Sequence, residues 1–466
     1  MEEEAEPDRD AKDRDLECAR EVQHATRLVV ARAFAGEKEF YFPYQLDWRG
    51  RGYALPSTLH PQSDDESRAL LLFARGKPLG DRGAYWLAAH LANLYGNGKD
   101  KLPFAERVKW IQESRKEITE AVDRPYESEF LKDADKPWRF LAAAFEWVGY
   151  LREGPGFISH VPVAMDGTCN GLQHLSALGR DPQGGRSTNL IPGSGPCDIY
   201  QEVADRIIPH VEKACSLPEF DGRALYWRGI LDRKYVKQPT MTTPYGVRGT
   251  GIRRQLMATM MERHPHRFRE PHDRWNAANY LAPLLEQAIA EVVVKAAEIM
   301  KWLRDVTQEL GKHGRVASWV TPAGFPVINR YPRLVVRRIE TLAGALTLRV
   351  PDPKGKLDAA KQMDSIVPNL IHSLDAAHMM FTVGALKAEG LSDFAMVHDS
   401  YAVHASDVDR MNRVLREQFV RVHQECTLAR LTEQFREGEA GIEIKDPPPL
   451  GSLDLGEVAR SEYFFS

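Results

Sequence analysis

Apolar side chains recur at helical spacing through CAREVQHATRLVVARAF and Gly36 closes the run, so residues 1–37 read as an acidic, charged lead followed by a helix. The stretch EFYFPYQLDWRGRGYAL is strand-like, and AERVKWIQESRKEITEAV has an amphipathic helical pattern after the turn-rich LYGNGKDKLP. HVPVAMDG is a buried strand that stops at Asp166-Gly167, after which GLQHLSALGR starts a helix. FAMVHDSYAVHA has two short apolar strands around His398-Asp399-Ser400, the pattern of a β-hairpin with a carboxylate at its tip. Between these lie helices, of which NYLAPLLEQAIAEVVVKAAEIMKWLRDVTQEL is expected to be the longest, and a strand-turn-strand in SWVTPAGFPVINRY. The pattern predicts a helix-rich α+β protein without internal repeats.

Composition narrows the function classes. With 466 residues the chain is long enough for two or three subdomains. No window reaches the apolar length of a membrane span. The five cysteines are scattered, odd in number and without zinc-site spacing, and are expected to be reduced and structural. The acidic lead resembles neither a secretory signal nor an Arg-rich transit peptide, which predicts a cytoplasmic location in a bacterial or phage-infected cell. A net charge of −4 excludes a uniformly basic surface, but basic residues cluster at Arg333, Arg337, Arg338 and Arg349 and at Arg228, Arg233, Lys234 and Lys237. Taken singly, each cluster also reads as a solvated helix or loop face.

An aspartate at the end of a buried strand needs something to offset the desolvation of its charge, and a divalent metal does so directly. Phosphoryl transfer uses two such ions about 3.5–4 Å apart, held by carboxylates converging from separate strands. Asp166 and Asp399 are the candidates; a turn or helix-cap role is the alternative for each alone.

MDGTCNGLQHLSAL and MVHDSYAVHA resemble the first and third catalytic motifs of the single-subunit DNA-dependent RNA polymerases of bacteriophage and mitochondrial type. RKYVKQPTMTTPYG resembles the intervening motif, and FPYQLDWRGRGYA, RGKPLG, LPFAERVKWIQES, STNLIPGSGPCDIY, WVTPAGFPV, VPNLIHSLDAAHM and the aromatic ending EYFFS follow in the family's order. The resemblance implies template-directed RNA synthesis from ribonucleoside triphosphates, with two Mg²⁺ ions at Asp166, Gly167 and Asp399. Arg233 and Lys237, four apart on one helical face, would grip the triphosphate. Tyr245 and His372 would sense the ribose 2′-OH, and Tyr200 would lie on the nucleotide or template side. Lys109 is a further phosphate candidate. Asp47, Arg49 and Arg51 in DWRGR would contact template and product, and residues 327–361, with Arg333, Arg337 and Arg338, would form the hairpin that reads promoter bases.

The implied architecture is a right-hand polymerase: a thumb-remnant helix in 1–37, palm in 38–182 with Asp166, fingers in 183–371, and palm again in 372–466 with Asp399. The resemblance implies that the thumb is largely missing and the N-terminal domain absent, and the expectation is then a fragment, a minimal enzyme, or one half of a two-chain enzyme whose partner supplies that domain. Pro239 and Pro244 interrupt a motif expected to be helical, so the placement of Tyr245 depends on how they are accommodated. Two other functions stay open at this level: a non-catalytic nucleic-acid-binding remnant, and a DNA polymerase sharing the palm.

Overall fold

The computed structural model describes residues 9–216, 222–342, 344–437 and 441–466. Along the chain, α1 (Arg9–Phe34) begins inside the charged lead and stops just before Gly36. Strands β1 (Tyr44–Leu46) and β2 (Gly52–Ala54) pair antiparallel around the DWRGR turn. The amphipathic helix predicted after α2 (Gly80–Tyr95) is two helices, α3 (Phe104–Glu113) and α4 (Arg115–Asp123), which meet at Ser114. α5 (Pro137–Glu153) starts with proline, whose missing N–H costs nothing in a first turn, and leads to β3 (Pro162–Asp166).

Helix α6 (Asn170–Gly179) follows, then α7 (Ile199–Ala214) and α8 (Arg233–Thr242), the last two capped by the carboxylates of Asp198 and Asp232. The helical stretch expected to be continuous after α9 (Gly249–Arg263) is broken at Val293 into α10 (Pro271–Val292) and α11 (Val294–Lys312). Three successive valines, Val292 to Val294, stand at that break, where β-branched side chains weaken the helix. Short strands β4 (Ser318–Val320) and β5 (Pro326–Ile328) form the expected strand-turn-strand, and β6 (Leu334–Thr341) pairs with β7 (Gly344–Pro351). The longest helix is α12 (Ala359–Ala388), with Pro368 inside it. It is followed by the β8 (Ala395–Val397) and β9 (Ser400–His404) hairpin, α13 (Val408–Glu425) and α14 (Leu428–Arg436).

These elements form two compact units. The first holds the chain up to Asp47, Gly52–Met165 and Leu386–Asn412. Its three-stranded sheet has the order β8-β9-β3, and α2 packs against α3 and α5 through Leu87, Leu91, Phe104 and Phe140, each fully buried. The second unit holds Trp48–Arg51, Asp166–Ala385 and Arg413–Ser466. Its core joins Leu172, Val203, Trp227, Tyr235, Leu281, Leu303 and Leu370, each 0–1% exposed, and every such side chain contributes about 1.5–3 kcal/mol relative to leaving it in water. Among the described residues no helix is long and apolar enough to cross a membrane, and no disulfide forms. The fold is thus helix-rich with small antiparallel sheets.

Candidate active site

In β3, Val163, Ala164 and Met165 are buried and Asp166, the last strand residue, is exposed. The loop after it is clamped by the C-terminal tail. Gly167 bridges Phe465, and the Ser466 N–H donates to the Asp166 carbonyl at 3.1 Å. A Cβ on Gly167 would lie 3.0 Å from Gln173 Oε1 and 3.2 Å from the Phe465 ring, so glycine fits that close approach. Gln173 Nε2 donates to the carbonyls of Thr188 and Phe464 at 2.9 and 3.0 Å. The aromatic ending is therefore a brace for the Asp166 loop. Cys169 enters α6 with φ +52°, a left-handed conformation uncommon outside glycine.

In the first unit, β8 and β9 pair with Val397 opposite Ser400, which leaves His398 and Asp399 as a two-residue turn. His398 has φ +49° and its ring meets the edge of Tyr53 at 4.9 Å. The predicted hairpin with a carboxylate at its tip is thus present.

In the second unit, Asp198 connects two helices. Its Oδ1 accepts from the N–H groups of Tyr200 and Gln201 at 3.0 and 3.3 Å, capping α7, and its Oδ2 accepts from Arg233 Nε. The Arg233 guanidinium also lies 5.1 Å from the centre of the Tyr200 ring. Burial, and then the bond to Cys169, pushes the Tyr200 phenol well above its ordinary range. Helix α8 accommodates Pro239 in its interior and buries it; Pro244 falls after the helix ends, in the 3₁₀ turn Thr243–Tyr245, which Gly246 closes at φ +85°. Arg233 and Lys237 therefore do share a helical turn, with Lys237 exposed.

Tyr245 and His372 meet with ring centres 5.1 Å apart. His372 lies in the interior of α12. The DWRGR turn docks along the same helix: Arg49 Nη1 lies 2.9 Å from His372 Nδ1, Gly50 sits over Phe325 and Ala376, and Arg51 bonds Asp375 Oδ2 through Nε and Nη2 at 3.0 and 2.7 Å. Asn170 Nδ2 donates to Asp375 Oδ1 at 3.1 Å. Arg51, expected on nucleic acid, is thus committed to a carboxylate only 1% exposed. Asp375, Asn170 and Asp198 were missed in the sequence because single aspartates and asparagines look like caps; only the partners brought by the fold distinguish them.

Lys109 is on an exposed face of α3, 3.8 Å from Glu113 in an i,i+4 pair, the geometry of a solvated helix face. Arg333, Arg337, Arg338 and Arg349 are all exposed, on or beside the β6–β7 ribbon. Asp47 is half-buried in the first unit. Among the described residues no group of three His, Cys, Asp or Glu side chains has metal-binding geometry.

The Asp166 loop, the Arg233–Lys237 turn and the Tyr245–His372 pair lie in one unit, on or beside α6, α8 and α12. The sequence model of DNA-dependent RNA polymerase matches residues 77–441, and the chain belongs to that family. It is 38% identical over 448 residues to DNA-directed RNA polymerase 1, mitochondrial, of Arabidopsis thaliana, covering 94% of this chain and 45% of the relative. It is 37% identical to DNA-directed RNA polymerase 2, chloroplastic/mitochondrial, of the same plant, covering 94% and 44%, and 36% identical to DNA-directed RNA polymerase 3, chloroplastic, of Nicotiana sylvestris, covering 94% and 45%. The chain thus spans about half the length of the curated relatives it matches. The expected cytoplasmic setting in a bacterial or phage-infected cell is corrected by these names, which are mitochondrial or chloroplastic. An acidic stretch at the start of the chain was the wrong ground for judging location.

Proposed function

We propose that this chain carries the catalytic region of an organellar-type, single-subunit RNA polymerase, extending RNA on a DNA template with ribonucleoside triphosphates. The observation that carries the reading is the Tyr245–His372 pair at 5.1 Å, in the same unit as the Arg233–Lys237 turn and the Asp166 loop. In this reading residues 38–182 and 372–466 serve as palm and 183–371 as fingers.

Asp166 and Asp399, with the Gly167 backbone, would hold magnesium. Each is an oxygen donor at a strand end, Asp166 closing β3 and Asp399 in the β8–β9 turn. Mg²⁺ is usually held by one or two carboxylates, with waters and substrate phosphates completing the shell, so two carboxylates and a backbone group, without a third side-chain ligand, fit. When bound, the ions would lower the pKa of the attacking 3′-hydroxyl and offset charge on the leaving pyrophosphate. Arg233 presents a planar fork to phosphate oxygens, and Lys237 places a compact charge, and a proton donor, beside the departing pyrophosphate. Tyr245 and His372 would sense the ribose 2′-OH from one side of the sugar. The exposed basic ribbon β6–β7, with Arg333, Arg337 and Arg338, suits the DNA major groove, and Arg49 is the DWRGR arginine placed near the sugar pair.

The test is extension of an RNA primer annealed to a DNA template, wild type beside Asp399→Asn, with magnesium varied. Extension that requires magnesium and falls by several orders of magnitude in the variant supports the reading. Equal activity of the two proteins sinks it, and a preference for deoxynucleotides turns it into a DNA polymerase.

A further inference from the structure

The contact between Arg49 and His372 has a direction that the chemistry of arginine imposes. A guanidinium only donates hydrogen bonds, so His372 Nδ1, 2.9 Å from Arg49 Nη1, is the acceptor. An imidazole that accepts at Nδ1 is neutral and carries its single proton on Nε2. The guanidinium is itself held in place. Its neighbour Gly50, at φ +91°, packs where a Cβ would lie 3.3 Å from the Phe325 ring and 3.7 Å from Ala376. Arg51 is tied to Asp375, and the Arg49 Cζ lies 5.4 Å from the centre of the Trp48 ring, which meets Tyr331 edge-on. His372, Asp375 and Ala376 are spaced i, i+3, i+4 on α12, so three consecutive residues of the turn are registered along one helical face. The Tyr245 ring lies 5.1 Å from the imidazole, centre to centre.

We propose that Arg49 is a positioning residue for sugar selection: it locks His372 in the neutral Nε2–H tautomer, so that Nε2 donates to the 2′-hydroxyl of an incoming ribonucleotide. The role rests on the polymerase reading above and adds to it a residue that sets specificity without touching the sugar. A deoxynucleotide would leave the Nε2–H without its acceptor, which is how a site built for a hydroxyl rejects its absence. Without the Arg49 donor, the ring is free to carry its proton on Nδ1 instead, and the Nε2–H that the 2′-hydroxyl accepts from is then gone.

Two measurements test this. In primer extension, the ratio of ribo- to deoxynucleotide incorporation should fall roughly five- to tenfold in Arg49→Met, the worth of one neutral hydrogen bond. It should fall comparably in His372→Ala, and no further in the double variant. An unchanged ratio in Arg49→Met, or additive losses, overturns the proposal and returns Arg49 to a backbone-binding role. Independently of activity, ¹⁵N spectra of histidine-labelled protein, with the His372 signals identified by their loss in His372→Ala, should show Nε2 protonated and Nδ1 bare in the wild type. An Nδ1–H tautomer or an imidazolium at neutral pH overturns it, even if Arg49→Met fails to fold. A wild type that extends no primer defeats the polymerase reading alone, while the spectra still decide the tautomer.

Discussion

Asp198 holds Arg233 from a position it cannot leave without uncapping a helix. One carboxylate oxygen takes the N–H groups of Tyr200 and Gln201, and the other takes Arg233 Nε. The contact uses Nε, so the fork formed by the two terminal nitrogens is the edge a phosphate would meet.

Asp198→Asn separates the two tasks. Asparagine caps as well as aspartate, but its one carbonyl oxygen must stay with the helix N–H groups, turning the NH₂ toward Arg233 so that donor faces donor. The expected result is a KM for nucleotides raised about tenfold, the worth of a charge-assisted hydrogen bond, with kcat within about twofold and thermal stability nearly unchanged. Steady-state kinetics over a range of nucleotide concentrations, beside a melting curve, checks this; a fall in kcat at constant KM would count against a phosphate-gripping Arg233.

Gly171→Ala should alter chemistry more than stability. An added Cβ would meet Pro244 Cβ at 3.0 Å and both Cζ and the hydroxyl oxygen of Tyr245 at 3.2 Å, pushing the phenol off its seat. Within α6, alanine is favoured over glycine by up to about 1 kcal/mol, which offsets the crowding. Discrimination between sugars should drop severalfold while the melting temperature moves little. Incorporation ratios for matched ribo- and deoxynucleotides measure the effect.

Asp375→Asn should destabilise the second unit by about 3 kcal/mol, because it removes the carboxylate charge, only 1% exposed, that two bonds tie to the Arg51 guanidinium. Equilibrium denaturation by urea, compared through the midpoint at constant slope, is the measurement.

Stability should fall as the pH is lowered from about 7 toward 4. Burial is the first cause of depressed pKa values at His378 (to about 4) and His423 (to about 3), and it holds His174 well below its ordinary range; His174 Nδ1 and His423 Nε2 share a hydrogen bond of 3.0 Å. In the first unit burial does the same to His90 (to about 3) and His404 (to about 4). The unfolded chain takes up protons below about pH 6.5 while the folded one refuses them until its own lower pKa values, so stability rises with pH across that window. Each fully buried histidine contributes about 1–2 kcal/mol to the loss at pH 5. Melting temperatures at pH 8, 6 and 5 should decline in order, and less steeply in His423→Gln.

Local pattern alone carried the strand that ends at Asp166, the hairpin around Asp399 and the pairing of Arg233 with Lys237, since each depends on residues a few positions apart. The same reasoning failed where distant packing competes with local preference. Three valines split a helix whose apolar period ran straight through them, and Pro239, an expected interruption, lies buried inside α8. It could not show that Arg51 is tied to Asp375, that Arg49 faces His372, or that the aromatic ending braces the Asp166 loop. Those contacts join residues hundreds of positions apart, and side-chain hydrogen bonds at that separation leave no periodicity to read. Sequence determined which chemical groups the chain possesses and most of the elements that carry them. Tertiary structure decided which donors and acceptors meet, because a hydrogen bond acts over about 3 Å and only the packed core brings groups that close.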